Sequence, residues 1–88
     1  MQINVRLSAG MSQLIGNPRL IVTLPNEATV ADLLKQLRSQ YPVLEEKLTS
    51  AIPMISGRHV AQSERLTSDI EVALLLPVAG GSGAAGPQ

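Results

Sequence analysis

The chain has no cysteine, phenylalanine or tryptophan, and Tyr41 is its single aromatic residue. Without cysteine there are no disulfides, thiolate metal sites, cysteine nucleophiles or side-chain thioesters. Without Phe or Trp the core has to be built from Leu, Ile and Val. One tyrosine makes no stacking platform for bases, and 7 Lys/Arg balance 7 Asp/Glu, so no basic stripe is available for phosphates. Nucleic acid is therefore a poor candidate partner, and none is expected. Long apolar runs are missing too: the longest, residues 72–79, contains Pro77 and is far short of the about 18 residues a membrane span requires. With no secretory leader pattern at the N-terminus, the expectation is a soluble cytoplasmic protein with no membrane partner.

What is present is a small domain: 88 residues, 44% of them hydrophobic, enough for an ordered core but for little internal cavity. A chain this short buries only about 60–65% of the surface it exposes when unfolded. In residues 2–8 Ile3, Val5 and Leu7 alternate with polar neighbours, the period of a strand with one buried face. Residues 9–18 carry Gly10, Gly16, Asn17 and Pro18 and read as a long turn. Residues 19–24 (RLIVTL) form a second strand, stopped by Pro25 and Asn26.

The clearest helix follows. Thr29 is an N-cap with Asp32 three residues on, a variant of the capping box. Val30, Leu33, Leu34, Leu37 and Tyr41 make one apolar stripe, and Pro42 ends the helix because the residue before a proline disfavours helical angles. Residues 45–49 have room for one more helical turn. Residues 51–55 are apolar with Pro53 inside, which predicts a strand start or an edge strand. Ser56-Gly57 is a turn, His59-Val60 begins a short return strand, and residues 71–78 form the last and most apolar strand. In that strand Val72, Leu74 and Leu76 share one face, with Ala73 and Leu75 on the other.

The order β-β-α-β-(β)-β places strands that cannot cover their own apolar face beside one amphipathic helix that can. The expected fold is α+β of the β-grasp (ubiquitin-like) kind, a mixed sheet packed on one main helix over residues 1–79. Residues 80–88 are expected to form a flexible Gly/Ala-rich tail, having too little to bury against the entropy of ordering.

Residues 66–81 (LTSDIEVALLLPVAGG) resemble the C-terminal signature of the molybdopterin-synthase small-subunit family (MoaD). The points of likeness are an acidic turn, Glu71-Val72-Ala73, an apolar strand, then Pro77-Val78, one small residue and Gly80-Gly81. A looser likeness covers residues 2–81 and extends to ThiS-like thiamine sulfur carriers, ubiquitin-related modifiers and small archaeal modifiers. The resemblance implies a carrier protein, not an enzyme. An E1-like adenylating enzyme using ATP would join the Gly81 carboxylate to AMP, and sulfur transfer would give a thiocarboxylate. Gly81 would bear the activated carbonyl and Gly80 would supply reach, since residues without Cβ thread narrow channels.

The same resemblance implies a partner interface at Leu75, Pro77 and Val78, a molybdopterin synthase large subunit as partner, and no cofactor bound by this chain. Residues 82–88 depart from the pattern, because Gly81 then holds a peptide bond instead of a carboxylate. A processing protease would remove them, or they are a linker, or the tail is vestigial. A ubiquitin-like modifier conjugated to lysines is the alternative function, with Lys35 and Lys47 the only lysines in this chain.

Other residues carry less. Arg6, Ser8 and His59 are expected on the Leu75 face of the sheet. His59, the one histidine, reads as a turn residue because no second ligand or nucleophile accompanies it. Glu45, Glu46 and Lys47 read as a solvated helical face, and no Ser-His-Asp set or metal-ligand spacing occurs.

Overall fold

Alternation in the first residues produces strand β1 (Gln2–Leu7), with Ile3, Val5 and Leu7 buried and the residues between them exposed. A computed structural model describes residues 1–77 of the chain. Within it β1 pairs antiparallel with β2 (Arg19–Thr23) and parallel with the last strand, β5 (Glu71–Leu75). On its other side β5 pairs antiparallel with β3 (Ile52–Ile55), which pairs antiparallel with the two-residue β4 (Arg58–His59). The sheet order is β2-β1-β5-β3-β4.

Three helices join these strands: α1 (Ala9–Ile15), α2 (Val30–Gln40) and α3 (Glu45–Ser50), with a 3₁₀ turn at Pro42–Leu44. The stripe Val30, Leu33, Leu34 and Leu37 on α2 is buried, as its spacing predicts. It meets Ile3, Val5, Val22, Val72 and Leu74 from the sheet in one aliphatic core, against which Tyr41 is half-buried. Full burial of such a side chain contributes about 1.5–3 kcal/mol.

The start of α2 shows how the chain closes on itself. A helix leaves its first four N–H groups without intrahelical partners, and here each has one. Thr29 N donates to Asp32 Oδ2 at 2.9 Å and Asp32 N to Thr29 Oγ1 at 3.3 Å, a complete capping box. Val30 N donates to Glu64 O at 3.0 Å and Ala31 N to Gln62 O at 2.9 Å. The segment between β4 and β5 is thereby tied to the helix, and no N–H is left there to hold a phosphate.

The structure corrects the sequence reading at three places and, at Pro42, bears it out and adds to it. Residues 9–18 are not a turn throughout: α1 occupies most of them, ended by Gly16 at φ 75°. Its signal, Met11 with Leu14 and Ile15 at helical spacing, spans barely two turns and is masked by Gly10. Pro42 ends α2 yet opens a 3₁₀ turn, since proline is tolerated in the first turn of a helix.

Further along the chain, Pro53 is near the start of β3, one of the two expected placements, but β3 lies inside the sheet and not at its edge. Pro53 O accepts from Val60 N at 3.1 Å, so Pro53's missing donor also faces the β4 side, where pairing covers only Met54 and Ile55. No bond to β5 is lost. Lastly, the final strand ends at Leu75, leaving Leu76 and Pro77 beyond its ladder. The Ser56-Gly57 turn is as expected: φ values of 52° and 76° give the two left-handed residues of a type I′ hairpin. The boundary expected at 79/80 lies outside the described residues.

Candidate functional site

The segment leading to the diglycine leaves from the middle of the sheet. β5 is paired on both sides, with Leu74 opposite Leu7 and Pro53, so the strand that leads to the tail is held in the interior of the sheet. Ser8 N extends the ladder by donating to Leu74 O at 3.1 Å. Leu76 then turns inward and is half-buried against the core. Gly10 on α1 makes room for it: a Cβ there would lie 2.8 Å from Leu76 Cδ1. Pro77 is exposed at the exit. Val78, Gly80 and Gly81 lie outside the described residues.

The face of the sheet opposite the helices is open, and strand register sets its pattern. One row crosses all five strands in the order Arg19, Arg6, Ala73, Met54, His59. A neighbouring row holds Ile21, Asn4 and Glu71, and on the other side Leu75 stands beside Ile52. Leu75 is 40% exposed and Ile21 65%. Beside Leu75, toward the Ser56-Gly57 turn, lies a shallow depression of about 290 Å³ bordered by Arg6, Met54, Glu71 and Ala73.

Arg6 and His59 thus share the Leu75 face as expected. Ser8 does not, because β1 has ended and Ser8 caps α1, its Oγ buried without a hydrogen-bond partner. Ile21 and the Gly10–Leu76 contact were not singled out from the sequence. In the run Leu20-Ile21-Val22 every residue is apolar, so periodicity does not say which one faces outward.

Chemically the described residues offer a surface and an exit. Among them no three His, Cys, Asp or Glu side chains converge to hold a metal ion. No helix among the described residues is long and apolar enough to cross a membrane. Lys35 and Lys47 are both exposed, on α2 and α3.

A mixed sheet with one long helix across its inner face, and a last strand inserted in the middle of the sheet, defines the β-grasp, ubiquitin-like class of small proteins. Within that class the chain belongs to the ThiS family, whose model matches residues 5–81. Solved structures agree on the fold. SAMP1 from Haloferax volcanii is 26% identical with a TM-score of 0.82, covering 92% of this chain and 100% of its own. A candidate molybdopterin converting factor subunit 1 from Pyrococcus furiosus is 23% identical with a TM-score of 0.79, covering 89% and 99%. Caldiarchaeum subterraneum ubiquitin shares the fold at 16% identity and a TM-score of 0.63, covering 92% and 98%. No curated protein sequence matches the chain significantly. The fold and the family together place the chain among the ubiquitin-like proteins of the ThiS family.

Proposed function

We propose that the chain is a sulfur carrier whose working group is the carboxylate of Gly81, freed by cleavage before Ser82, and that it serves molybdopterin synthesis. The observation that carries this reading is the extent of the family match, which ends on Gly81 and leaves residues 82–88 outside. The carboxylate attacks the α-phosphorus of ATP in an E1-like partner, pyrophosphate leaves, and a sulfur nucleophile then displaces AMP from the carbonyl. Two easier steps, an adenylyl transfer and then an acyl transfer, replace one hard one, and the thiocarboxylate carries sulfur to a molybdopterin synthase large subunit. The protein body supplies anchorage. Its central strand holds the base of the tail while Leu75 and Pro77, with Val78, meet the partner.

Intact-mass analysis of the chain from its native host tests this. A product ending at Gly81 with one oxygen replaced by sulfur is the expected result. Incubation with the host's adenylating enzyme and ATP is the second arm: the chain ending at Gly81 releases pyrophosphate and the 88-residue chain does not. Equal activation of both lengths rules out the processing step. A second reading, a protein modifier conjugated to lysines, is favoured by the likeness to SAMP1, a small archaeal modifier. Ladders of conjugates in the host, in place of the thiocarboxylate mass, would establish it.

A further inference from the structure

Arg6 on β1 stands directly opposite Arg19 on β2, and both side chains are exposed on the open face. Directly opposed residues of an antiparallel pair have Cβ atoms about 4.5–5.5 Å apart, and like charges there repel. The backbone leaves neither residue free to move away. Arg19 N is held by Asn17 Oδ1 at 3.0 Å, and the neighbouring Leu7 N by Pro18 O at 2.8 Å. No carboxylate among the described residues forms an ion pair with either guanidinium, although Glu71 borders the depressions that Arg6 and Arg19 line. Glu71 sits one row away, beside Asn4, and the ion pair found among the described residues is Arg65–Glu27. Residues 78–88 contain no Asp or Glu.

We infer that the Arg6–Arg19 pair is a recognition element for a carboxylate presented by the activating protein partner, and this rests on the carrier reading above. Two features favour a protein carboxylate over a free anion. The pair lies exposed on the open face of the sheet, where the depressions beside it are shallow and do not enclose a small ion. It is also flanked on one side by Ile21 and on the other by Leu75, exposed apolar groups that a protein surface can cover. Position adds a reason: Arg6 neighbours Ala73, two residues before Leu75 and four before the exit at Pro77. A carboxylate engaged there aligns the base of the tail with the partner's site.

The test measures pyrophosphate release by the host's adenylating enzyme, with ATP and the chain ending at Gly81. The R6Q/R19Q variant is expected to raise KM for the chain on the order of tenfold, with kcat kept, and to lose the wild type's dependence on salt. R6E/R19E raises KM further, while R6K/R19K recovers part of the loss. K35Q, on α2 away from this face, leaves KM unchanged. The melting temperature of R6Q/R19Q stays the same or rises, because a repulsion has been removed. An R6Q/R19Q variant with wild-type KM overturns the inference alone. So does binding of ATP or inorganic phosphate to the isolated wild-type chain that disappears in R6Q/R19Q, which makes the pair a small-anion site. A wild-type chain that is never activated overturns the carrier reading, and the inference with it.

Discussion

Gly10 and Leu76 share one packing site: a Cβ on the glycine would come within 2.8 Å of the leucine Cδ1. The second residue of α1 therefore sets where the first residue beyond β5 lies, and through it the direction in which the chain leaves the sheet. Two opposing terms govern Gly10→Ala. Alanine gains about 1 kcal/mol of helix propensity, and pushing Leu76 from its rotamer costs about 0.5–1.5 kcal/mol. Stability by urea denaturation should change by less than about 1 kcal/mol, while the Leu76 methyl resonances move. Unmoved methyl resonances would mean that the contact is not formed in solution.

The cap of α2 should respond as a coupled unit. Thr29→Ala removes the acceptor for Asp32 N and is expected to cost about 0.5–2 kcal/mol. Asp32→Ala removes the acceptor for Thr29 N, and the double variant should lose less than the two singles summed. Strict additivity in a double-mutant cycle contradicts a reciprocal box.

Leu37 and Leu75 separate body from surface. Leu37 is fully buried, so Leu37→Ala should cost about 2–5 kcal/mol in denaturant titration. Leu75 is 40% exposed, so Leu75→Ser should stay within about 0.5 kcal/mol of wild type. On the carrier reading, Leu75→Ser instead weakens binding to the adenylating partner. A large loss of stability from Leu75→Ser would make it a core residue.

Glu27 adopts φ 69°, in the left-handed region that disfavours side chains with a Cβ. Glu27→Gly should therefore stabilise by about 0.5–1 kcal/mol, after allowing for glycine's greater freedom when unfolded. The ion pair with Arg65 does not reverse the sign, because both partners are about three-quarters exposed and such pairs contribute little. A lower melting temperature for Glu27→Gly would show that the pair outweighs the backbone strain.

How much of this was legible beforehand depended on the range of the interaction. The α2 stripe and its Thr29–Asp32 cap involve residues within a few positions of one another, and both were readable. The Ser56-Gly57 turn was readable for the same reason. α1 was missed because it is short and contains a glycine whose purpose is a contact with Leu76, far along the chain. β3 was read as a strand start or an edge because a proline removes a donor; Pro53 is the second residue of the strand, but the strand is interior. Which side of the strand that donor faces depends on β4 and β5.

The sequence by itself determined the periods of the strands and of the main helix, the aliphatic make-up of the core, and the family likeness of residues 66–81. These are properties of side-chain type and of neighbours close in the chain. Only the tertiary structure decided that β5 lies between β1 and β3, that Arg6 faces Arg19, that Ile21 and Leu75 share the open face, and that Gly10 lies under Leu76. Each of those joins segments distant in sequence, and their register follows from burying the whole apolar set at once, which no single stretch of residues encodes.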